Sequence, residues 1–319
     1  MCYSARVRQD LHTLVRRFGG DVDWSAFEAL FRLRLEDSGI KISRALEANF
    51  ENPVNSPGQR IREHIEAFRK AQASIWEQDL FKQKKRLADA QRSLKEKETK
   101  RAREDERIAT NKIETYIERL GDLKRTESRP DDSRIFPMYF APVVVTDAGR
   151  RVIRPMRYTC RIQGKPAFYD RKFPGTYNAR RDNLNGFWSQ VYGTWHAIML
   201  VDSFFENVPT HLYEKRELAP NEQETNTVLH FHPNPPEPMI VACLWSHWTG
   251  DGARDLDSFA AVTDEPPAEI ADTGHQRCII SLREENVAEW LNPQHVDKTR
   301  LEQILTDRQV PYYEHRIAA

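Results

Sequence analysis

The chain has no apolar run approaching the roughly 20 residues that a membrane-spanning helix needs. Arg6, Arg8 and Asp10 stand where a secretory leader would carry an apolar stretch. A soluble cytoplasmic protein is therefore expected, associated with the nucleoid if its partner is DNA, with no membrane partner. Cysteine is scarce: Cys2, Cys160, Cys243 and Cys278 lie far apart with no CxxC pair, which excludes a disulfide framework or zinc knuckle and fits a reducing interior. Charge of one sign is also missing, with 48 Lys+Arg against 48 Asp+Glu, so any nucleic-acid surface has to be local. There is no glycine-rich phosphate loop and no GxSxG elbow. His230, His232 and His247 have a spacing that a metal can use, but no carboxylate or cysteine accompanies them, so neither metal nor cofactor is expected.

What is present divides into three zones. Residues 1–56 contain short amphipathic pieces at Asp10–Phe18 and Trp24–Leu35, closed by Asn52-Pro53 and Ser56-Pro57-Gly58. Residues 59–126 hold no proline, and no glycine before Gly121, and are rich in Lys, Arg, Glu, Gln and Ala. That composition predicts one long helix, or a helical hairpin folding near the charged gap Lys95–Arg107. The hairpin is the more economical shape for an insertion. Residues 130–319 show β-type runs at Ala141–Thr146, Arg151–Arg157, Ala197–Val201, Met239–Trp245, Phe259–Thr263 and Cys278–Leu282. Helical pieces are predicted at Asn183–Ser189, Glu284–Leu291 and Thr299–Thr306. The fold class is α+β, a β-rich domain of mixed and antiparallel strands with an inserted long-helix arm.

Cys2 is the residue with the most distinctive chemistry. If Met1 is removed, Cys2 has a free α-amine two carbons from its thiol, with ordinary pKa values of roughly 8 and 8.5. Such a 1,2-aminothiol condenses with an aldehyde through nitrogen and closes a five-membered ring through sulfur, or acts as a plain thiolate. Three further positions sit beside β-type runs. Asn178, in Tyr177-Asn178-Ala179-Arg180, follows a Pro-Gly turn. Glu206 closes Asp202-Ser203-Phe204-Phe205-Glu206 at the edge of an aromatic cluster, and His275 precedes the run beginning at Cys278.

Taken in order, Met-Cys, Asn-Ala-Arg, a strand closing on Phe-x-Glu, and Thr…His-x-Arg before a last strand resemble the SOS-response-associated peptidase (SRAP) family. Tyr139-Phe140-Ala141-Pro142, Ala242-Cys243-Leu244-Trp245 and Phe259–Thr263 fall where the family has a Tyr-x-x-Ala-Pro-like turn, Ala-Gly-Leu-Trp and a Phe-x-x-Thr strand. The resemblance divides the chain into an SRAP-like catalytic and DNA-binding domain (1–19 and 130–319) and a helical insertion (20–129, with 59–126 the helix or hairpin). It implies a protein that binds single-stranded DNA at abasic sites and forms a thiazolidine crosslink through Cys2 after autoproteolytic removal of Met1, with abasic-site lyase activity possible. His275 and Glu206 would move protons, Asn178 would orient the amine or the sugar oxygens, and Arg180 would hold a phosphate. Arg6, Arg157, Tyr158 and Arg277 complete the expected DNA contacts, with Phe168 a second aromatic for base stacking. The departures are Tyr3-Ser4 in place of Gly-Arg, Met156-Arg157-Tyr158 in place of Arg-Trp-Gly, and Ile279 in place of proline. Two rival readings are a cysteine peptidase acting on proteins in trans and a non-catalytic coiled-coil protein working through the insertion. The insertion itself would serve a protein partner, self-association or more DNA.

Overall fold

The computed structural model describes residues 3–250 and 252–318. Its strands are β1 Ser4–Val7, β2 Asp21–Val22, β3 Lys41–Ile42, β4 Arg134–Ile135, β5 Tyr139–Asp147, β6 Arg150–Tyr158, β7 Asn178–Arg180 and β8 His196–Pro209. They continue with β9 Asn226–Asn234, β10 Met239–Gly250, β11 Ala253–Asp264, β12 Cys278–Ile279, β13 Ser281–Leu282, β14 Arg308–Gln309 and β15 Tyr312–Ile317. Five of these close on themselves. β8 pairs with β10, β10 with β11, β11 with β6, β6 with β5, and β5 again with β8. The β11–β6 step is parallel and the other four are antiparallel, so the sheet is mixed, as the sequence predicts.

Closure follows from alternation along the strands. Val143 and Val145 of β5, Met156 and Tyr158 of β6, Ala197, Met199 and Val201 of β8, Val241 and Cys243 of β10, and Phe259 and Ala261 of β11 share one buried cluster inside the ring. Their alternate neighbours Val144, Ile153, Ile198, Leu200, Ile240, Ala242, Leu244, Ala260 and Val262 belong to a second cluster on the outer face. That outer face is covered by helices α1 Leu11–Phe18, α2 Trp24–Glu36 and α3 Arg44–Ala48, by the root of α4 Ser56–Glu96, and by the last helix Lys298–Thr306. Phe27, Phe31, Leu46, Phe50, Ile61 and Ile65 are all essentially buried there. β2 and β3 pair in parallel with β6 and β5, so residues 20–65 form part of the barrel's cover.

Beyond its root, α4 pairs with α5 Lys100–Lys124 in a two-helix hairpin, and the turn at Lys97–Thr99 lies inside the charged gap. Thr99 caps α5, its hydroxyl accepting from the Ala102 N–H. Two local expectations change. Residues 183–189 form turns and a short 3-10 segment because the Asn183 side chain takes the Phe187 N–H that a helix would use. Tyr139-Phe140-Ala141-Pro142 is strand, with Pro142 opposite Pro155 in the β5–β6 register.

Candidate active site and nucleic-acid interface

One end of the barrel collects the chemistry. The C-terminal ends of β6, β8 and β11 and the N-terminal ends of β5 and β10 meet there, because β10 runs antiparallel to β8 and β11 while β6 runs parallel to β11. β8 continues past the ring to Pro209, and Glu206 follows Phe204 on the inner-face alternation, opposite Leu229 of β9. Its side chain is fully buried, with an oxygen 3.4 Å from His275 Nε2. His275 is placed by the Ala271–Gly274 turn, where Gly274 has φ +90° and packs on Leu212 and Val208 with no room for a side chain.

Asn178 opens β7 and lies opposite Ala261 of β11. It is 5% exposed, and neither amide atom has a hydrogen-bond partner among the described residues. Thr263, two residues along β11 and 1% exposed, has a hydroxyl in the same state. Buried polar atoms without partners are costly in a finished core and point to a site awaiting a group. Thr263 pairs with Ile279 of β12, beside Cys278. Burial first, and then the Glu206 carboxylate, push the Cys278 thiol up to about 12. Burial likewise raises Cys160 to about 12 and Cys243 further. None of these three is a nucleophile at neutral pH.

Cys2 lies outside the described residues. The chain that follows it forms β1, which enters antiparallel to β8 with Ser4 opposite Phe205 and Ala5 opposite Phe204. Arg134 Nε donates to Ser4 Oγ at 3.0 Å, tying β1 to β4. The guanidinium of Arg134 also covers the Phe205 ring at 3.6 Å, and Phe205 stacks on His230 at 4.2 Å. Arg6 donates to Asp131 and lies 5.4 Å from the Phe205 centroid. Tyr3 and Phe136 meet edge to face, so a ledge of arginines and rings borders the entry of β1. The sequence motifs did not point to Arg134 or His230 as parts of it. Pairing of β1 with both β4 and β8 brings these distant residues together.

The expected DNA contacts separate. Arg180 is exposed and pairs with Asp182, and Arg277 is 3.7 Å from the same carboxylate, so both stand at the rim near Asn178 and His275. Arg157 and Tyr158 need correction as strand contacts. Arg157 is buried in an ion pair with Asp170, and Tyr158 is an interior ring packed on Tyr177 and Phe259. Tyr158 falls inside because its strand position matches Met156 on the barrel face, and Asp170 holds both Arg157 and Arg161. A cleft of about 700 Å³ lies beside them, lined by Met138, Phe140, Arg161, Phe168, Arg171 and Arg254 together with Arg157, Asp37 and Asp255. Phe168 is 59% exposed there.

His230 gives this ledge a testable electrostatic signature. Burial, followed by Arg6, Arg316, His232 and Arg134, brings its imidazole down to about 4. An imidazole with a folded pKa below its unfolded value of about 6.5 adds stability above pH ~6.5 that is lost as pH falls toward ~4. The urea midpoint is therefore expected to fall across that window, and less steeply in His230→Gln. His196, brought by burial to about 3, adds a slope of the same sign. Equal slopes in the two proteins would contradict this assignment.

Among the described residues no group of three or more His, Cys, Asp or Glu is arranged to hold a metal ion, and no helix is long and apolar enough to cross a membrane. Residues 96–317 match the family model described as SOS response associated peptidase (SRAP). No protein of curated function matches the chain. Among solved structures, a Bacteroides thetaiotaomicron protein is 13% identical with a TM-score of 0.46, covering 58% of this chain and 77% of its own. A Bordetella bronchiseptica protein is 15% identical with a TM-score of 0.45, covering 61% and 90%. A phage-related protein of Bordetella bronchiseptica is 15% identical with a TM-score of 0.44, covering 58% and 80%.

Proposed function

The chain belongs to the SOS-response-associated peptidase family, and from that membership together with the geometry at this end of the barrel we propose that it captures abasic sites in single-stranded DNA through Cys2. Family membership ties it to DNA damage, DNA binding and peptidase-like activity in general. The finer reading assigns steps to residues. Removal of Met1, by the same groups acting on its peptide bond, frees the Cys2 amine. The amine adds to the C1′ aldehyde of the ring-opened abasic sugar, and the carbinolamine loses water to give an imine. The thiol then adds and closes a thiazolidine. One C–N and one C–S bond form, the carbonyl oxygen leaves as water, and no redox partner is required.

His275 and Glu206 move the protons, protonating the departing hydroxyl and accepting the thiol proton in turn. Asn178 and Thr263 orient the amine and the sugar oxygens through side-chain atoms that have no hydrogen-bond partner among the described residues. Arg180 and Arg277 at the rim, Arg6 on β1, and the cleft around Phe168 guide the strand, whose binding would weaken with salt. Such a role would place the protein on the nucleoid.

The observation that supports this reading most is the buried Glu206–His275 pair at 3.4 Å, one residue along β8 from the Phe205 that faces Ser4. A buried acid–base pair at the edge of the first strand suits chemistry at the chain's start better than cleavage of a bulky protein. Processed protein mixed with a single-stranded oligonucleotide bearing one abasic site is expected to give a shifted band that survives denaturation. A tetrahydrofuran analogue without an aldehyde gives none. Cleavage of unrelated peptides with no DNA adduct would replace this reading with a cysteine peptidase acting in trans.

A further inference from the structure

The barrel reading leaves the far end of the α4–α5 hairpin without a task. Between Lys82 and Arg103 the chain carries ten Lys/Arg (Lys82, Lys84, Lys85, Arg86, Arg92, Lys95, Lys97, Lys100, Arg101, Arg103) and three acids (Asp89, Glu96, Glu98). In a protein whose overall charge is zero, residues 82–103 hold a net +7, flanked by the acids Asp79, Glu104, Asp105 and Glu106. The arginines are engaged locally, as in Arg86 with Asp105 and Arg92 with Asp89. Lys84, Lys85, Lys95, Lys97 and Lys100 are exposed and have no ion-pair partner among the described residues. A cleft of about 480 Å³ lies between the two helices, lined by Lys82, Lys85, Arg86, Ser93, Thr99 and Arg101 together with Asp89 and Asp105.

We infer that this hairpin tip is a second DNA contact, gripping the phosphate backbone of duplex nucleic acid that flanks the single-stranded segment. The inference deepens the DNA reading of the barrel and rests on it. Three observations favour a duplex. First, residues 82–103 contain no Phe, Tyr, Trp or His, and among the described residues Phe81 at the edge of the tip is a single exposed ring, too little for a platform that stacks successive bases. Its chemistry is mainly phosphate contact. Second, α4 makes its last contacts with the α2–α3 cover through Phe68 on Arg34 and Arg69 on Glu47, and the 27 residues from Lys70 to Glu96 extend on the order of 40 Å at 1.5 Å per residue. A stiff duplex spans a length of that order, whereas a flexible strand does not hold it. Third, among the described residues the tip exposes no large apolar side chain beyond Phe81, so it lacks the apolar face with which a helix enters a lipid surface.

The test uses full-length processed protein and a lesion-free duplex of about 20 base pairs, longer than the arm, read by fluorescence anisotropy across a salt series. A variant with Lys84→Gln, Lys85→Gln, Lys95→Gln, Lys97→Gln and Lys100→Gln is expected to bind at least tenfold more weakly. Its log–log salt slope should shrink by roughly four units, because each phosphate neutralised contributes about 0.9. Lysine-to-arginine substitution at the same five positions keeps both, and an unchanged far-UV helical signal shows that the hairpin is intact. Crosslinking to a short single-stranded abasic oligonucleotide stays at the wild-type level in every variant. Equal duplex affinity and slope in wild type and the glutamine variant would overturn the inference. It also falls if the substitutions change only self-association by light scattering, which makes the acidic surface of a second copy the occupant, or only binding to phosphatidylserine vesicles. Loss of the crosslink in wild type with duplex binding intact would remove the abasic-site reading and leave the tip as a plain duplex contact.

Discussion

Cys2→Ala is expected to abolish the denaturation-resistant crosslink, a loss of at least a hundredfold in yield. The expectation is this strong because no other thiol can substitute. Cys160, Cys243 and Cys278 are buried and held far above the neutral range. A thiol with a pKa near 12 is ionised to roughly one part in 10⁵ at pH 7. The alanine variant keeps its α-amine once Met1 is removed, so it still forms an imine with the aldehyde. That imine hydrolyses on denaturation but is fixed by borohydride. Recovery of a band with the reductant, and its absence without, separates the role of nitrogen from that of sulfur. An uncleaved N-terminal tag removes both functions and is expected to give no band under either condition. A crosslink of wild-type stability in Cys2→Ala would place the chemistry on another residue.

The second large effect belongs to the acid–base pair. His275→Ala and Glu206→Gln are each expected to slow single-turnover crosslinking by about 10² to 10³, the range of positioned proton transfer. Combining them should cost little more than either alone, because groups 3.4 Å apart that pass one proton act as a unit. Affinity for the tetrahydrofuran analogue, which lacks the aldehyde, stays within about twofold. This split between rate and affinity separates proton transfer from a structural role. A matching loss of analogue affinity would make the pair a binding element instead.

The residues proposed for this site stood out in the sequence because they sit beside strong local signals. Glu206 follows the apolar run Ala197–Val201 and the Phe204-Phe205 pair within β8, His275 precedes a strand, and Asn178 follows a Pro-Gly turn. The hairpin was legible for a similar reason: a proline-free stretch with a charged interruption allows few other shapes, and α4 and α5 break at Lys97–Thr99. Contacts made through strand pairing were not legible. β9 and β15 lack an apolar run because they pair with each other in alternating registers, with His232 opposite Glu314 and His230 opposite Arg316. The Arg134–Phe205–His230 stack draws on three strands separated by 25 to 96 positions, and no linear motif encodes it. Arg157 and Tyr158 misled for a related reason. Local basicity says nothing of an acid thirteen residues on, and Asp170 draws Arg157 into a buried pair.

Mass spectrometry of the trypsin-digested adduct tests the proposal most directly. Cleavage after Arg6 releases Cys2-Tyr3-Ser4-Ala5-Arg6, and this peptide is expected to carry the sugar fragment through both nitrogen and sulfur. Its mass should equal peptide plus aldehyde minus one water, with no thiol left for an alkylating agent. An adduct on a lysine, an alkylatable Cys2 in the crosslinked protein, or an intact Met1 ahead of it would contradict the account.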